Sequence, residues 1–217
     1  MDFLMILVYI AIVFFLVFPL CTGIYSGCLR RIYVLPSSFG YYPKDILYKE
    51  FMGSFASARE QFAKMREDAQ NYFTFLHDIA IFYDDPEKLK DPGQCRSIVG
   101  FEVFLNSEKP KIPSFLKNFK SYKRTQLPYV QALVADFPYV KLFSALSMNL
   151  GDRKVYPVLK KVVEKKKKDL EIYKVGPYLE FYEYRSKTIR YFVLYGDGIE
   201  NYFLNKLPSP ALKAIKA

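Results

Sequence analysis

The side chains that usually carry chemistry are scarce in this chain. There is one histidine, His77, among 217 residues, and no cysteine or carboxylate stands at metal-ligand spacing from it. Asp78 is its neighbour in sequence, which does not make a dyad, so a serine–histidine–aspartate arrangement has no candidate. No glycine-rich phosphate loop is present. Three cysteines, Cys21, Cys28 and Cys95, are too few for a disulfide framework. These absences point away from the common hydrolytic and nucleotide-driven enzymes, and the chain reads as a non-enzyme with no cofactor and no metal. What it holds in quantity is ring: 19 Tyr and 20 Phe, with no Trp. Tyrosine at that density suits half-buried strands whose phenol oxygens reach solvent or the rim of a pocket.

The second chemical feature is basic charge, a net +10 at neutral pH. Part of it is local, in Lys160, Lys161, Lys165, Lys166, Lys167 and Lys168, and again in Lys109, Lys111, Lys117, Lys120, Lys123 and Arg124. Near an anionic leaflet each such charge contributes about 1 kcal/mol of attraction. Nucleic acid phosphates attract the same patches. The plain alternative is the solvated face of a helix.

Two different materials must position these groups. From Phe3 to Leu29 no side chain is charged, and the run to Leu20 is almost unbroken Leu, Ile, Val, Phe and Met. A helix needs about 20 apolar residues to cross a hydrocarbon core. The run therefore reads as a transmembrane anchor over 1–29, with Phe3, Leu7, Ile10, Phe14 and Phe18 among its lipid-facing residues. Asp2 is the only charge before it, whereas Arg30, Arg31, Lys44 and Lys49 follow it, which sets the N-terminus in the lumen and the rest in the cytosol. A cleaved signal peptide is the rival, but it begins with a basic stretch that is missing here and has an apolar core of roughly 7–15 residues. Cys21 and Gly23 are small enough for cleavage, and Cys28 and Cys95 are then free to pair. Retained at the membrane edge, Cys21 and Cys28 are palmitoylation candidates or inert thiols. No Asn-x-Ser/Thr sequon marks luminal exposure.

Beyond a juxtamembrane linker, 30–47, the remaining residues suffice for one domain, 48–196, with a short tail, 197–217. Residues 45–52 read as a strand. In 54–71, Phe55, Ala58, Phe62, Met65 and Ala69 fall at helical spacings of three and four. Strands follow at 79–83 and 97–105, a surface loop at 107–116, and a strand at 128–137. Alternation from Leu142 through Leu146, Met148 and Leu150 reads as a strand turned by Gly151-Asp152, before a helix over 155–168. Strands at 170–174 and 178–184 are split by Gly176-Pro177, a hairpin signal, and 189–195 is the last. The order strand–helix–strand–strand thus occurs twice. The fold class is α+β: an antiparallel sheet built from the duplicated unit, with two helices on one face.

Three stretches in order carry a resemblance. Ile79-Ala80-Ile81-Phe82-Tyr83-Asp84-Asp85-Pro86 is followed by Cys95-Arg96-Ser97-Ile98-Val99-Gly100. Phe137-Pro138-Tyr139, with Leu142 and Ser144, precedes Val155-Tyr156-Pro157-Val158-Leu159. Leu170-Glu171-Ile172-Tyr173 comes last. With the anchor in first position, this set over 48–184 resembles the testis-expressed protein 264 family, whose members carry a GyrI-like domain on a membrane anchor. The resemblance implies a single-pass endoplasmic reticulum membrane protein that acts as a receptor or adaptor in selective autophagy of the reticulum. It implies ubiquitin-like autophagy modifiers as partners, and a link to repair of protein–DNA crosslinks. GyrI-like domains also bind aromatic, often cationic, molecules between the halves of the sheet, and some hydrolyse strained rings. On that reading Glu171 is the ligand carboxylate, with Tyr173, Tyr139 and Tyr83 as aromatic walls that suit cation–π contact. The family's receptor docks through an aromatic-x-x-aliphatic motif in a long acidic tail. Here the tail is basic, with Lys206, Lys213 and Lys216, so the motif candidates lie within the domain: Tyr191 with Leu194, and Phe73 with Leu76.

Overall fold

A computed structural model of the chain describes residues 3–39, 44–73, 77–85, 89, 91–103, 111–169 and 174–206. The N-terminal apolar run forms one helix, α1 (Phe3–Tyr25), with Pro19 inside it. It is long and apolar enough to cross a membrane, and none of its span is buried against the protein. Leu7, Phe14 and Phe18 are exposed; Phe3 and Ile10 lie on the same helix.

The duplicated order is present in the chain. One unit is β2 (Lys44–Met52), α2 (Phe55–Ala69), β3 (His77–Phe82) and β4 (Arg96–Glu102). The other is β6 (Val130–Pro138), α4 (Ser144–Lys168), β7 (Val175–Glu183) and β8 (Thr188–Tyr195). With β1 (Leu35–Phe39) and β5 (Lys123–Leu127) they make an eight-stranded antiparallel sheet ordered β1-β6-β8-β7-β3-β4-β2-β5. Exchanging β7 with β3, β8 with β4 and β6 with β2 leaves that order unchanged, so a pseudo-twofold axis passes between β3 and β7. There Ala80 faces Glu180 across the ladder.

Alternation along the strands sends side chains to opposite faces. On one face Leu47, Ala80, Phe101, Phe137, Tyr182 and Tyr191 pack with Phe62 and Met65 of α2 and with Val155 and Leu159 of α4. On the other, Ile79, Ile81, Ile98, Leu179, Phe192 and Leu194 form a second cluster. Both helices therefore cover the same side of the sheet. Ser54 caps α2 by accepting the Ser57 backbone N–H at 3.1 Å.

Several elements differ from expectation. Residues 142–150 are not a strand: α4 runs unbroken through Gly151-Asp152. Leu142, Leu146 and Leu150 recur every four residues, a spacing that a helix face shares with alternation. The loop at 107–116 gives way to a short helix, α3 (Ile112–Asn118), with Pro113 in its first turn, where a missing N–H costs nothing. Gly176-Pro177 lies inside β7 at a register shift between Val175 and Tyr178, not in a turn between two strands. The expected strand at 170–174 falls almost wholly outside the described residues. The linker 30–47 contains β1 and the start of β2, and β5 was not anticipated at all. In the tail, the short 3-10 turn Ile199–Tyr202 packs Ile199 and Tyr202 onto the second cluster. Cys28 and Cys95 are both free thiols, and burial pushes the Cys95 thiol up to about 12.

Candidate functional site

At the pseudo-twofold axis, on the helix-covered face, the centre of the sheet is charged. Glu180 of β7 is fully buried, opposite Ala80 on β3 and Tyr191 on β8. The small side chain of Ala80 leaves room above the carboxylate. Arg59 reaches it from α2, donating from Nε to Oε2 at 3.0 Å and from Nη2 to Oε1 at 2.5 Å. Tyr156 of α4 donates to Oε1 at 2.6 Å and Tyr182 to Oε2 at 2.5 Å. Four donors occupy the lone-pair positions of one carboxylate, so Glu180 has no acceptor to spare.

Arg59 also holds a second carboxylate. Its Nη1 and Nη2 donate to Asp152 of α4 at 2.7 Å and 2.5 Å, and the Tyr191 hydroxyl donates to Asp152 at 3.4 Å. One guanidinium thus serves two carboxylates, and the cluster keeps a surplus negative charge. Burial, then the neighbouring Glu180, push the Asp152 carboxyl up to about 6, against the pull of Arg59. Burial likewise raises the phenols of Tyr156, Tyr182 and Tyr191 well above their ordinary range, which keeps them as neutral donors.

Above this floor a cavity of about 530 Å³ opens between α2 and α4, lined by Phe55, Arg59, Asp152, Tyr156, Tyr178 and Lys160, among others. Its rings are fixed by one another. Phe55 stacks on Phe82 at 3.8 Å, and Tyr156 meets Phe55, Tyr178 and Tyr191 edge-on at 5.6, 5.2 and 5.4 Å. Asp152 keeps 23% of its side chain exposed, whereas Glu180 keeps none. Lys160 is paired with Asp85 at 3.1 Å across the mouth. The volume and the apolar walls are those of a small-molecule site.

Of the ligand residues marked in the sequence, the two that the structure describes, Tyr83 and Tyr139, do not line the cavity. Glu171 and Tyr173 lie outside the described residues; among the described residues the carboxylates lining the cavity are Asp85 and Asp152, with Glu180 sealed beneath them. Tyr83 faces the opposite side, where its hydroxyl donates to the Tyr202 carbonyl at 2.9 Å and accepts the Leu204 N–H at 3.1 Å. Tyr139 belongs to a neighbouring group, edge-on to Tyr184 at 5.2 Å and to Tyr182 at 6.3 Å. Tyr184 in turn donates to the buried Asp78, whose carboxyl burial pushes up to about 6. His77 points to the other face and bonds Glu102 at 3.0 Å. Tyr191 and Leu194 are fully buried, in a strand paired on both sides. The docking-motif reading of these two residues is therefore corrected: they are core. Phe73 is buried as well, and 74–76 are outside the described residues. Lys160, Lys161, Lys165, Lys166, Lys167 and Lys168 all lie on the second half of α4, where the last-turn lysines favour the helix dipole.

Arg59, Asp152, Tyr156, Glu180 and Tyr182 were missed, although each left a trace. Arg59 adjoins Ala58 on the apolar stripe of α2, a charge at a core position. Asp152 and Tyr156 stand four apart, and Tyr178, Glu180 and Tyr182 alternate on one strand face.

No protein-family model and no curated protein matches this sequence. Among solved structures, the C-terminal domain of EcmrR is similar at a TM-score of 0.47 and 13% identity, over 76% of this chain and 96% of that one. The structure of SAV2435 bound to tetraphenylphosphonium gives 0.39 and 9%, over 79% and 98%. A hydrolase encoded by lin2189 from Listeria innocua gives 0.39 and 7%, over 74% and 91%. All three scores lie below 0.5.

Proposed function

We propose that this chain is a membrane-tethered GyrI-like binding domain, without enzymatic activity, that takes a small aromatic molecule between α2 and α4. One observation carries the reading: a slot walled by Phe55, Tyr156 and Tyr178 opens onto a partly exposed carboxylate, Asp152, above a sealed ionic floor. Charge in and under the slot is balanced, with Arg59, Arg153 and Lys160 against Asp85, Asp152 and Glu180. Selection therefore rests mainly on the rings, and Asp152 adds a preference for a cation or an N–H donor. Binding is favoured over turnover because the floor groups are committed to one another and His77 is on the far face.

The test is thermal stabilisation of the detergent-solubilised full chain by tetraphenylphosphonium, an aromatic cation, and by a neutral aromatic of similar size. Both raise the melting temperature, as a ligand that prefers the folded state must. Asp152→Asn weakens the response to the cation and spares the neutral compound. The cation response also strengthens as pH rises through about 6, because the Asp152 carboxyl, held up by burial, ionises there. No stabilisation by either compound, or a response to the cation that Asp152→Asn leaves unchanged, rejects the proposal.

The second reading is the receptor or adaptor role in reticulum turnover, and the feature that favours it is α1. That helix would hold the domain on the cytosolic side of the reticulum membrane, leaving its N-terminus in the lumen. With Tyr191 and Leu194 in the core, docking on ubiquitin-like autophagy modifiers must use another segment or an adaptor. Capture of such modifiers by the full chain supports this role, and failure to capture them, directly or with a cell extract supplying adaptors, removes it.

A further inference from the structure

The end of α1 is not slack. Phe18 of α1 meets Phe143, just before α4, edge-on at 6.2 Å. Farther along, Lys154 of α4 donates to the carbonyls of Gly27, Cys28 and Arg30 at 3.2, 2.6 and 2.7 Å. Along the chain Phe18 precedes the turn at 27–30, and Phe143 precedes Lys154, so the two contacts follow one another in the same direction along both segments. The start of α4 therefore lies at the level of Phe18, and its lysine-rich end points away from the apolar part of α1.

At that level the body is greasy. Leu142 is 82% exposed and Leu146 38% exposed, beside Phe143. Lys141 is exposed next to them, and so is Lys187, whose carbonyl accepts the Tyr139 N–H at 2.8 Å and brings the β7–β8 turn alongside. Two leucines that water should disfavour thus continue the apolar surface of α1, with lysines at their margin.

We propose that the turn carrying Leu142, Phe143 and Leu146 inserts into the bilayer beside α1, so that the body rests on the membrane through this edge. The partner is a lipid surface: acyl chains take the leucines, and the lysines reach up to anionic headgroups. Continuity with α1 and the basic margin both favour lipid over a protein partner. The inference rests on α1 being a membrane span. Moving the exposed apolar surface of Leu142 and Leu146 out of water is favourable, and the edge is already brought to the surface by α1.

The absence of tryptophan from the sequence makes the test direct. Three single-tryptophan variants of the full chain, Phe14→Trp, Leu142→Trp and Tyr129→Trp, are reconstituted into phosphatidylcholine–phosphatidylserine vesicles with brominated acyl chains. Tyr129 is exposed just before β6, at the end of that strand remote from Tyr139, and reports water. The expected result is blue-shifted, bromine-quenched emission for Phe14→Trp and Leu142→Trp, with Tyr129→Trp unquenched. Quenching of Phe14→Trp without Leu142→Trp overturns the inserted edge and leaves the span intact. Quenching of neither overturns both. Quenching of Leu142→Trp alone overturns the span, and with it an edge inserted beside α1.

Discussion

At the scale of single residues, Arg59 governs the site. Its guanidinium sits where the positive charge of a ligand would otherwise meet Glu180, and it fills that carboxylate from within the protein. Such an ion pair gains from short range and loses from desolvation, and the balance fails when one partner is removed. Arg59→Met strands Glu180 and most of Asp152 in a low-dielectric core, and it costs about 3–5 kcal/mol of stability. Adding Glu180→Gln to Arg59→Met recovers most of that loss, because the amide oxygen accepts from one of Tyr156 and Tyr182 and its NH2 donates to the hydroxyl of the other, without a charge to bury. Urea unfolding of the two single variants and the double measures the coupling. Additive effects would mean that the pair is not the unit described here. Asp152 differs from Glu180 in kind: it is partly exposed, lines the cavity and has acceptor capacity left, so it is the carboxylate that an incoming molecule would meet.

At the scale of elements, α4 decides how much could be read in advance. The strand–helix–strand–strand order, the helix over Phe55–Ala69 and the strands around Ile79, Ile98 and Val193 were legible from periodicity, because each buries one face and leaves punctuation at its ends. The N-terminal half of α4 was not, since leucines four apart satisfy two patterns and Gly151 reads as a breaker. Its real role is close approach. A Cβ at Gly151 would run into the Tyr191 hydroxyl and lie 3.2 Å from the Phe137 ring. Helix propensity favours Gly151→Ala by up to about 1 kcal/mol, whereas overpacking costs about 1–3 kcal/mol. The clash wins, and chemical denaturation shows Gly151→Ala less stable than the parent. A stabilised variant would mean that α4 and β8 stand farther apart. The site itself was illegible for a related reason: Arg59, Asp152 and Glu180 come from three elements, and only the sheet order brings them together. Charge in a core looks like an error in any one element and makes sense only across all of them.

At the scale of the whole molecule, two similar units meet at an axis and differ where they touch. Across the β3–β7 ladder one contributes Ala80 and the other Glu180. Pseudo-symmetry creates the groove between α2 and α4, and the asymmetry of its floor supplies the chemistry. The sheet also separates two tasks, with the Arg59–Glu180–Asp152 cluster on the helix side and a mainly apolar packing of Leu179, Phe192, Leu194 and Tyr202 on the other. Lys154, whose ammonium is spent on three carbonyls at the root of α1, stands two positions from Asp152 on the same helix. A guest that levers Asp152 and Tyr156 apart from α2 must therefore tug on the stem as well. On the proposed reading, occupancy of the groove would be geared to the tilt of the shaft in its membrane, as it would not be across a loose tether.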